Sequence, residues 1–362
     1  MATTVVKVGT SSITGETGEL DDTAVAKLCS ELAAVREQGH EVVLVSSGAI
    51  AAGMPVLGLH ERPTDVGVLQ AIAAVGQPRL MERFGAILAG HGLVSGQVLL
   101  TARDFGERDQ YLHARETLRR LLDLGVVPIV NENDTVADDE IRYGDNDRLA
   151  ALVANLVNAD VLVLLTDTAG LHTADPRLDA EASLIEEIVE VDAALEAVAG
   201  GAGTVRGSGG MASKLAAAKI AAWSGVRVVI AGSETAGVVL DAVEGRAVGT
   251  AVRAREGRLP SRKLWIAFAR GANGRVVVDG GARKALCDDD RSLLPAGVAG
   301  VEGSFAPGDA IEVVDDQGAV FAKGLSRYDS NSLSAAAGKK TSALPEGSPQ
   351  EVIHKDDLVV LP

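Results

Sequence analysis

Thr4-Val5-Val6-Lys7-Val8-Gly9-Thr10-Ser11-Ser12 is the stretch from which the rest of the chain is read. A β-branched run that does not alternate polar with apolar residues marks a strand buried on both faces, as parallel sheets require. It ends in a Gly-Thr-Ser-Ser turn, and Asp22–Gln38 then shows helical spacing before the next apolar run, Glu41–Val45. The same alternation continues. Strand-like runs recur at Val94–Leu100, Val126–Val130, Val161–Leu165 and Val226–Ala231. Helical spacing marks Gly67–Ala89, Gln110–Asp123, Arg148–Val157 and Met211–Ser224. This order predicts an α/β fold, a mostly parallel, doubly wound sheet between helices. In such folds ligands bind beyond the C-terminal ends of the strands, so the loops after strands carry the functional signal.

Composition agrees. The 362 residues suggest two or three domains. Hydrophobic residues make up 47% and aromatics only 3%, so the core is built from Val, Leu, Ile and Ala rather than rings. The net charge of −16 repels phosphate backbones and disfavours broad nucleic-acid binding, so an anionic substrate needs locally placed cations. Cys29 and Cys287 are far apart and match no metal-ligand or disulfide pattern, which fits a reducing compartment. The N-terminus shows no basic region followed by an apolar one, and the apolar stretch Leu149–Leu165 is broken by Asn155, Asn158 and Asp160. A soluble, cytoplasmic protein without a membrane span is the expectation.

The texture changes near residues 253–272, where Arg253, Arg255, Arg258, Arg262, Lys263 and Arg270 surround Gly257 and Pro260. The predicted organisation is a first domain over 1–255, a basic connector over 256–272, and a small mostly-β domain over 273–362. Its predicted strands are Arg275–Asp279, Ala310–Val314, Ala319–Leu325 and Glu351–His354. The tail holds nine basic and fourteen acidic residues, a net −5, which disfavours RNA as its partner.

The chemistry gathers at strand ends. A lysine inside a strand buried on both faces is costly unless it meets an anion, and Lys7 is followed by donors at Gly9, Thr10, Ser11 and Ser12 that suit a phosphate cradle. Ser46-Ser47-Gly48-Ala49-Ile50-Ala51-Ala52-Gly53 leaves room for a ligand at a helix start, and reads equally well as a tight packing turn. Asn131-Glu132-Asn133-Asp134 and Ile141-Arg142-Tyr143-Gly144-Asp145-Asn146-Asp147 place carboxylates and amides where they can grip an amino group and order a basic residue. Thr166 and Asp167 close another strand; Asp167 suits a nucleotide, its metal, or a plain turn. Six of residues 200–210 are glycine, and they lead through Ser208, Gly209 and Gly210 into Met211, Ala212, Ser213 and Lys214 at a helix start. The dinucleotide fingerprint fails because no strand precedes this loop, and no Walker A motif is present. Two lysines, two glycine-rich cradles and a carboxylate cluster, without a Cys or His nucleophile, point to phosphoryl transfer.

These motifs together resemble the glutamate 5-kinase family of the amino acid kinase superfamily. They are Val6–Ser11, Ser46–Gly53, Asn131–Asp134, Gly144–Asp147 and Gly209-Gly210-Met211 with Lys214, and the tail is similar to a PUA domain. The resemblance implies ATP contacts at Lys7, Thr166, Asp167 and Ser208–Lys214, joined by the Gly9–Ser11 cradle, with Mg²⁺ as companion ion. It implies glutamate contacts at Ser47, Asp134 and Asn146, flanked by Gly48 and Asn131. Asp147 would hold Lys7 and Lys214, which makes these three the catalytic set; no protein ligand for the metal follows. Arg142 and Ser208 depart from the family pattern, where lysine and threonine stand, and both keep charge or hydroxyl. The implied activity is ATP-dependent phosphorylation of the glutamate γ-carboxylate, the first step toward proline. Proline as feedback inhibitor, a glutamyl phosphate reductase downstream and a homo-oligomer follow from the same resemblance. The alternatives are kinases for acetylglutamate, aspartate, carbamate or UMP, which the Asn131–Asp134 loop speaks against, and an RNA-binding regulator acting through the tail.

Overall fold

The computed structural model describes residues 1–15, 18–137, 146–176, 178–179, 181–192, 195, 210–256, 259, 261–269 and 271–361. The chain divides into two compact units, Met1–Arg258 and Leu259–Pro362.

In the first unit eight strands make one sheet. They are β1 (Thr3–Lys7), β2 (Glu41–Val45), β3 (Ser95–Leu100), β4 (Val127–Glu132), β5 (Val161–Thr166), β6 (Glu187–Ile188), β7 (Arg227–Gly232) and β8 (Thr250–Val252), in the order β3-β4-β2-β1-β5-β7-β8-β6. Every pairing from β3 across to β7 is parallel. Only β8 runs antiparallel to β7, with β6 parallel to β8 at the edge. From β1 the chain adds β2 beside it, crosses to β3 at the edge, inserts β4 between β3 and β2, and then returns to β5 on the other side of β1. That reversal between β1 and β5 is the switch point where such sheets open a crevice for ligands. β1, β2 and β5 are buried almost throughout, which explains their unbroken apolar runs.

Among the described residues eight helices flank this sheet: α1 (Asp22–Glu37), α2 (Ala49–Gly53), α3 (Val66–Gly90), α4 (Ala102–Gly106), α5 (Arg108–Asp123), α6 (Asn146–Leu156), α7 (Met211–Trp223) and α8 (Val238–Glu244). Asp21 starts α1 by accepting hydrogen bonds from the backbone N–H groups of Thr23 and Ala24. Val25, Leu28, Leu32 and Val35 of that helix pack with Val6, Leu44, Phe84 and Val163 into one core. The small residues after β2 have a packing role. A Cβ on Gly76 of α3 would lie 1.8 Å from the Ala49 carbonyl oxygen, and one on Gly53 would lie 2.1 Å from that of Ile72. The two glycines let α2 and α3 meet backbone to backbone. α6 is buried at every position but Arg148, so a polar residue at its start is forced into the interior.

The second unit has a five-stranded sheet in the order β10-β9-β11-β12-β13. The strands are β9 (Gly274–Val278), β10 (Val298–Gly303), β11 (Ala310–Val314), β12 (Val320–Leu325) and β13 (Leu358–Val360). Its core of Val276, Phe305, Ile311, Val313, Phe321 and Ile353 is its own. Two features depart from the sequence expectation. The strand expected at Glu351–His354 is absent. Val352 and Ile353 are both fully buried rather than alternating, Ile353 makes one isolated bridge to Leu293, and His354 caps the turn that leads to β13. The connector expected over 256–272 is partly folded: α9 (Ser261–Leu264) continues as a π-helical turn, Trp265–Ala269. Leu264 and Ile266 are buried, Arg262 pairs with Asp357 at 2.6 Å, and Lys323 Nζ donates to the Ala267 carbonyl at 3.3 Å. Arg262 is therefore a solvated edge of an apolar element. Gly257, Arg258, Pro260 and Arg270 lie outside the described residues. Helices α10 (Gly280–Cys287) and α11 (Ser330–Ala336) complete the unit.

Candidate active site

β1 ends on Lys7, and α7 carries Lys214 in its first turn. Neither side chain reaches bulk water; both point at Asp147, the second residue of α6. Asp147 Oδ1 lies 2.5 Å from Lys7 Nζ, and Oδ2 lies 3.2 Å from Lys214 Nζ. Ser213 Oγ is 2.8 Å from Asp147 Oδ2 and 2.8 Å from the Gly210 carbonyl oxygen. Burial alone would raise the Asp147 pKa. The charges of Lys7 and Lys214, with hydrogen bonds from Lys7 and Ser213, overcome that and hold it well below the usual carboxylate range. Two cations thus share one carboxylate in the interior. Two lysines brought together at the switch point of the sheet suit an anionic ligand.

Around these lysines the backbone is open to a ligand. Thr10–Ser12 forms a 3-10 turn just beyond β1, and a Cβ at Gly9 would sit 3.7 Å from Lys7 Nζ. Ser11 lies exposed in that turn, and Ser12 Oγ is buried with no hydrogen-bond partner among the described residues. Gly210 caps α7 without a side-chain hydrogen bond, and the N–H groups that open a helix favour an anion. Thr166 ends β5 and donates its hydroxyl to Asp167 Oδ1 at 3.1 Å. Ser233 N–H donates to the Thr166 carbonyl at 2.8 Å and ties the β5 and β7 ends together. The loop after β7 is held from α1. Lys27 Nζ donates to the Ser233 carbonyl and to that of Thr235, while Glu31 accepts from the N–H groups of Gly237 and Val239. Ser208 and Gly209 lie outside the described residues, as do Arg142, Gly144 and Asp145.

A second, uncharged cluster adjoins Asp147. Asn146 Nδ2 lies 2.8 Å from the Ser46 carbonyl oxygen, 2.8 Å from Ser47 Oγ and 3.0 Å from Asn131 Oδ1. Asn131 Nδ2 donates to Gln77 Oε1 of α3 at 2.8 Å. Gly48 stands at φ +102°, a left-handed conformation that favours glycine and turns the chain into α2 beside Ser47. Asp134 sits further along the loop after β4, and among the described residues no hydrogen bond joins it to the amides. Burial pushes its carboxyl up to about 6, against the pull of the Arg62 guanidinium. Lys7, Asp147 and Lys214 thus converge, as do Ser47, Asn131 and Asn146. Gln77, Lys27 and Glu31 are additions that sequence reading missed. Gln77 carries only a weak signal, a polar residue after Gly76 on a helix otherwise apolar at that face. Ser213, expected at the nucleotide, donates its hydroxyl to the Asp147 carboxylate in this structure.

The sheet and its paired lysines define a class before any relative is considered. A family model described as the amino acid kinase family matches residues 2–232, and one described as the PUA domain matches residues 274–347. Relatives named glutamate 5-kinase are similar along nearly all of the chain. The one from Moorella thermoacetica is 46% identical across 99% of this chain and 96% of its own length. Those from Cupriavidus taiwanensis and Ralstonia nicotianae are each 48% identical across 99% of this chain, covering 97% and 96% of their own lengths. The chain belongs to the amino acid kinase family and, within it, to the glutamate 5-kinases.

Proposed function

We propose that this protein transfers the γ-phosphoryl group of ATP to the γ-carboxylate of L-glutamate, giving L-glutamyl 5-phosphate and ADP, the first step toward proline. The observation that carries the reading is the pair of buried lysines that meet at Asp147, two cations brought to one point at the strand ends. The names and coverage of the relatives support glutamate as the acceptor.

The chemistry suits the inventory. A γ-carboxylate is ionised at neutral pH, so its oxygen attacks the γ-phosphorus directly, without a base. The bond between that phosphorus and the bridging oxygen breaks, and the electron pair leaves with ADP. No proton moves. The difficulty is electrostatic: two anions must approach, and negative charge shifts across the transferring group. Lys7 and Lys214 lie where they can bind that group, with Asp147 fixing both amines in place; the N–H groups at the start of α7 add fixed dipoles. Ser47 and the Asn131–Asn146 amides, with Asp134, bind the amino-acid end of the acceptor. Among the described residues no group of three or more His, Cys, Asp or Glu could cage a metal, and Asp147 is taken up by lysines. On this reading Mg²⁺ would arrive on the phosphates of ATP, with Asp167 at the end of β5 as the carboxylate placed for it. Bound there, Mg²⁺ would neutralise phosphate charge.

The same reading makes proline a competitive inhibitor, because it keeps the α-carboxylate and ammonium and lacks the reacting γ-carboxylate. It also calls for a reductase to consume the labile product, for a homo-oligomer, and for a cytoplasmic location; no described helix is long and apolar enough to cross a membrane. Measuring ADP release with glutamate, acetylglutamate, aspartate, carbamate and UMP in turn tests the assignment. Glutamate should give the highest kcat/KM. A higher value for any other acceptor would replace glutamate in the reading.

A further inference from the structure

Gln77 lies in α3, is 8% exposed, and belongs to none of the strand-end motifs. Its place in the amide cluster is dictated by two backbone groups that have no choice of role. Glu132 N–H can only donate, so Asn131 Oδ1 faces it at 2.9 Å and Asn131 Nδ2 faces Gln77 Oε1 at 2.8 Å. The Ser46 carbonyl can only accept, so Asn146 Nδ2 faces it at 2.8 Å. Both asparagine orientations are thereby fixed by their partners. Two atoms are left over. Gln77 Nε2 and Asn146 Oδ1 are buried and have no hydrogen-bond partner among the described residues. Gln77 gains nothing by turning over, because its Nε2 would then face Asn131 Nδ2, donor against donor. Buried unpaired polar atoms are rare in folded proteins, and one that the geometry forces on a core helix asks for a reason.

We propose that Gln77 is a positioning residue that sets acceptor specificity: Glu132 N–H holds one end of the Asn131 carboxamide and Gln77 Oε1 the other, and the Asn131 oxygen so steadied joins the Ser46 carbonyl in keeping the Asn146 carbonyl oxygen turned toward the ammonium group of an amino acid. A buried acceptor without a partner rewards a ligand that supplies a donor and rejects an analogue that lacks one, because the oxygen then stays desolvated and unpaired. Gln77, Asn131 and Asn146 thus form a relay of amide polarity that runs from a helix remote from the lysines to the amino group of the substrate. The inference rests on the glutamate reading above and adds a residue and a selection rule to it. The rule concerns the free amino group, so glutarate, which keeps both carboxylates and lacks the amine, is the discriminating probe.

The test compares kcat/KM for glutamate and for glutarate, together with the KM for ATP, in the full-length wild type, Gln77→Met and Gln77→Glu. If glutarate turns over too slowly, its inhibition constant against glutamate supplies the comparison. Gln77→Met keeps volume and offers no strong acceptor. It should lower the preference for glutamate over glutarate by about tenfold, the size of one hydrogen bond, with the ATP KM unchanged. Gln77→Glu keeps an oxygen facing Asn131 and should preserve most of the preference. Gln77→Ala, which opens space rather than adding a contact, carries the same expectation if Gln77→Met fails to fold. A folded variant that loses glutamate and glutarate turnover in proportion would show a merely structural role and overturn the proposal, as would an effect on ATP alone. A wild type inactive on glutamate would instead remove the activity itself, an outcome separate from an unchanged preference in active variants.

Discussion

At the scale of the residue, the Lys7–Asp147–Lys214 triad separates charge used in catalysis from charge used in folding. Replacing Lys7 or Lys214 with Met keeps the other lysine on Asp147, so the fold should survive. The lost charge stabilises mainly the transition state, so kcat should fall by roughly 10²–10³. Steady-state kinetics with circular dichroism checks this, and a near-normal kcat would remove that lysine from the chemistry. Asp147→Asn is the contrasting case. It leaves two buried cations without their carboxylate and should cost about 3–5 kcal/mol of stability, seen as a lower melting temperature. Asp134 makes a pH prediction. Its carboxyl, at about 6 rather than 3.8, is the form that pairs with the substrate ammonium only when ionised. The kcat/KM for glutamate should therefore rise through pH 6, and Asp134→Asn should abolish that step and raise the glutamate KM. Stability runs the other way. Because the folded state binds this proton more tightly than the unfolded chain, the contribution is present at low pH and is lost as pH rises from about 4 through 6. Much of this site was readable as residue types, because a lysine inside an apolar run is conspicuous. Gln77 was not, since an isolated glutamine on a helix has no sequence feature that reveals which amide it will hold.

Among the elements, the close approach of α2 and α3 is the feature with the sharpest consequence. Alanine is the better helix former, so by propensity alone Gly76→Ala should stabilise α3 by about 1 kcal/mol. The packing predicts the opposite, because the added Cβ would fall 1.8 Å from the Ala49 carbonyl oxygen. The variant should melt several degrees below the wild type and lose glutamate affinity, since α2 follows directly from Ser47 and Gly48. Gly90→Ala is the control: it lies at the end of the same helix with nothing within 4 Å of its Cβ position, so the propensity gain stands and it should melt at or slightly above the wild type. Thermal melts of both decide it, and a stabilised Gly76→Ala would mean that α2 can move away without cost. The strands and helices of the first unit lie within about two residues of their apolar runs, because buried parallel strands announce themselves by composition. The antiparallel β8, the two-residue β6 and the short α4 and α8 were missed, being too brief to establish a period. The small residues of Ser46–Gly53 read equally well as ligand room or as packing. The structure shows the packing and places Ser47 against Asn146 as well.

For the whole molecule, the two units have separate cores, and every described member of the lysine and amide clusters belongs to Met1–Arg258. A chain of residues 1–258 should therefore keep its kcat for phosphoryl transfer to within a few-fold, whatever the second unit adds to stability or control. A folded truncate without activity at saturating ATP, Mg²⁺ and glutamate would show that residues beyond 258 complete the site. The boundary itself was only partly legible: cationic residues near 262 suggested a solvated connector, while Leu264 and Ile266 were already placed to bury a helix. The central claim is that this fold makes an acyl phosphate on glutamate, and one measurement addresses that product directly. The full-length protein is incubated with ATP, Mg²⁺, glutamate and hydroxylamine, and γ-glutamyl hydroxamate is quantified beside ADP. The account predicts hydroxamate and ADP in equal amounts, both dependent on glutamate and both lost in Lys214→Met. ADP formation on glutamate without hydroxamate would contradict it.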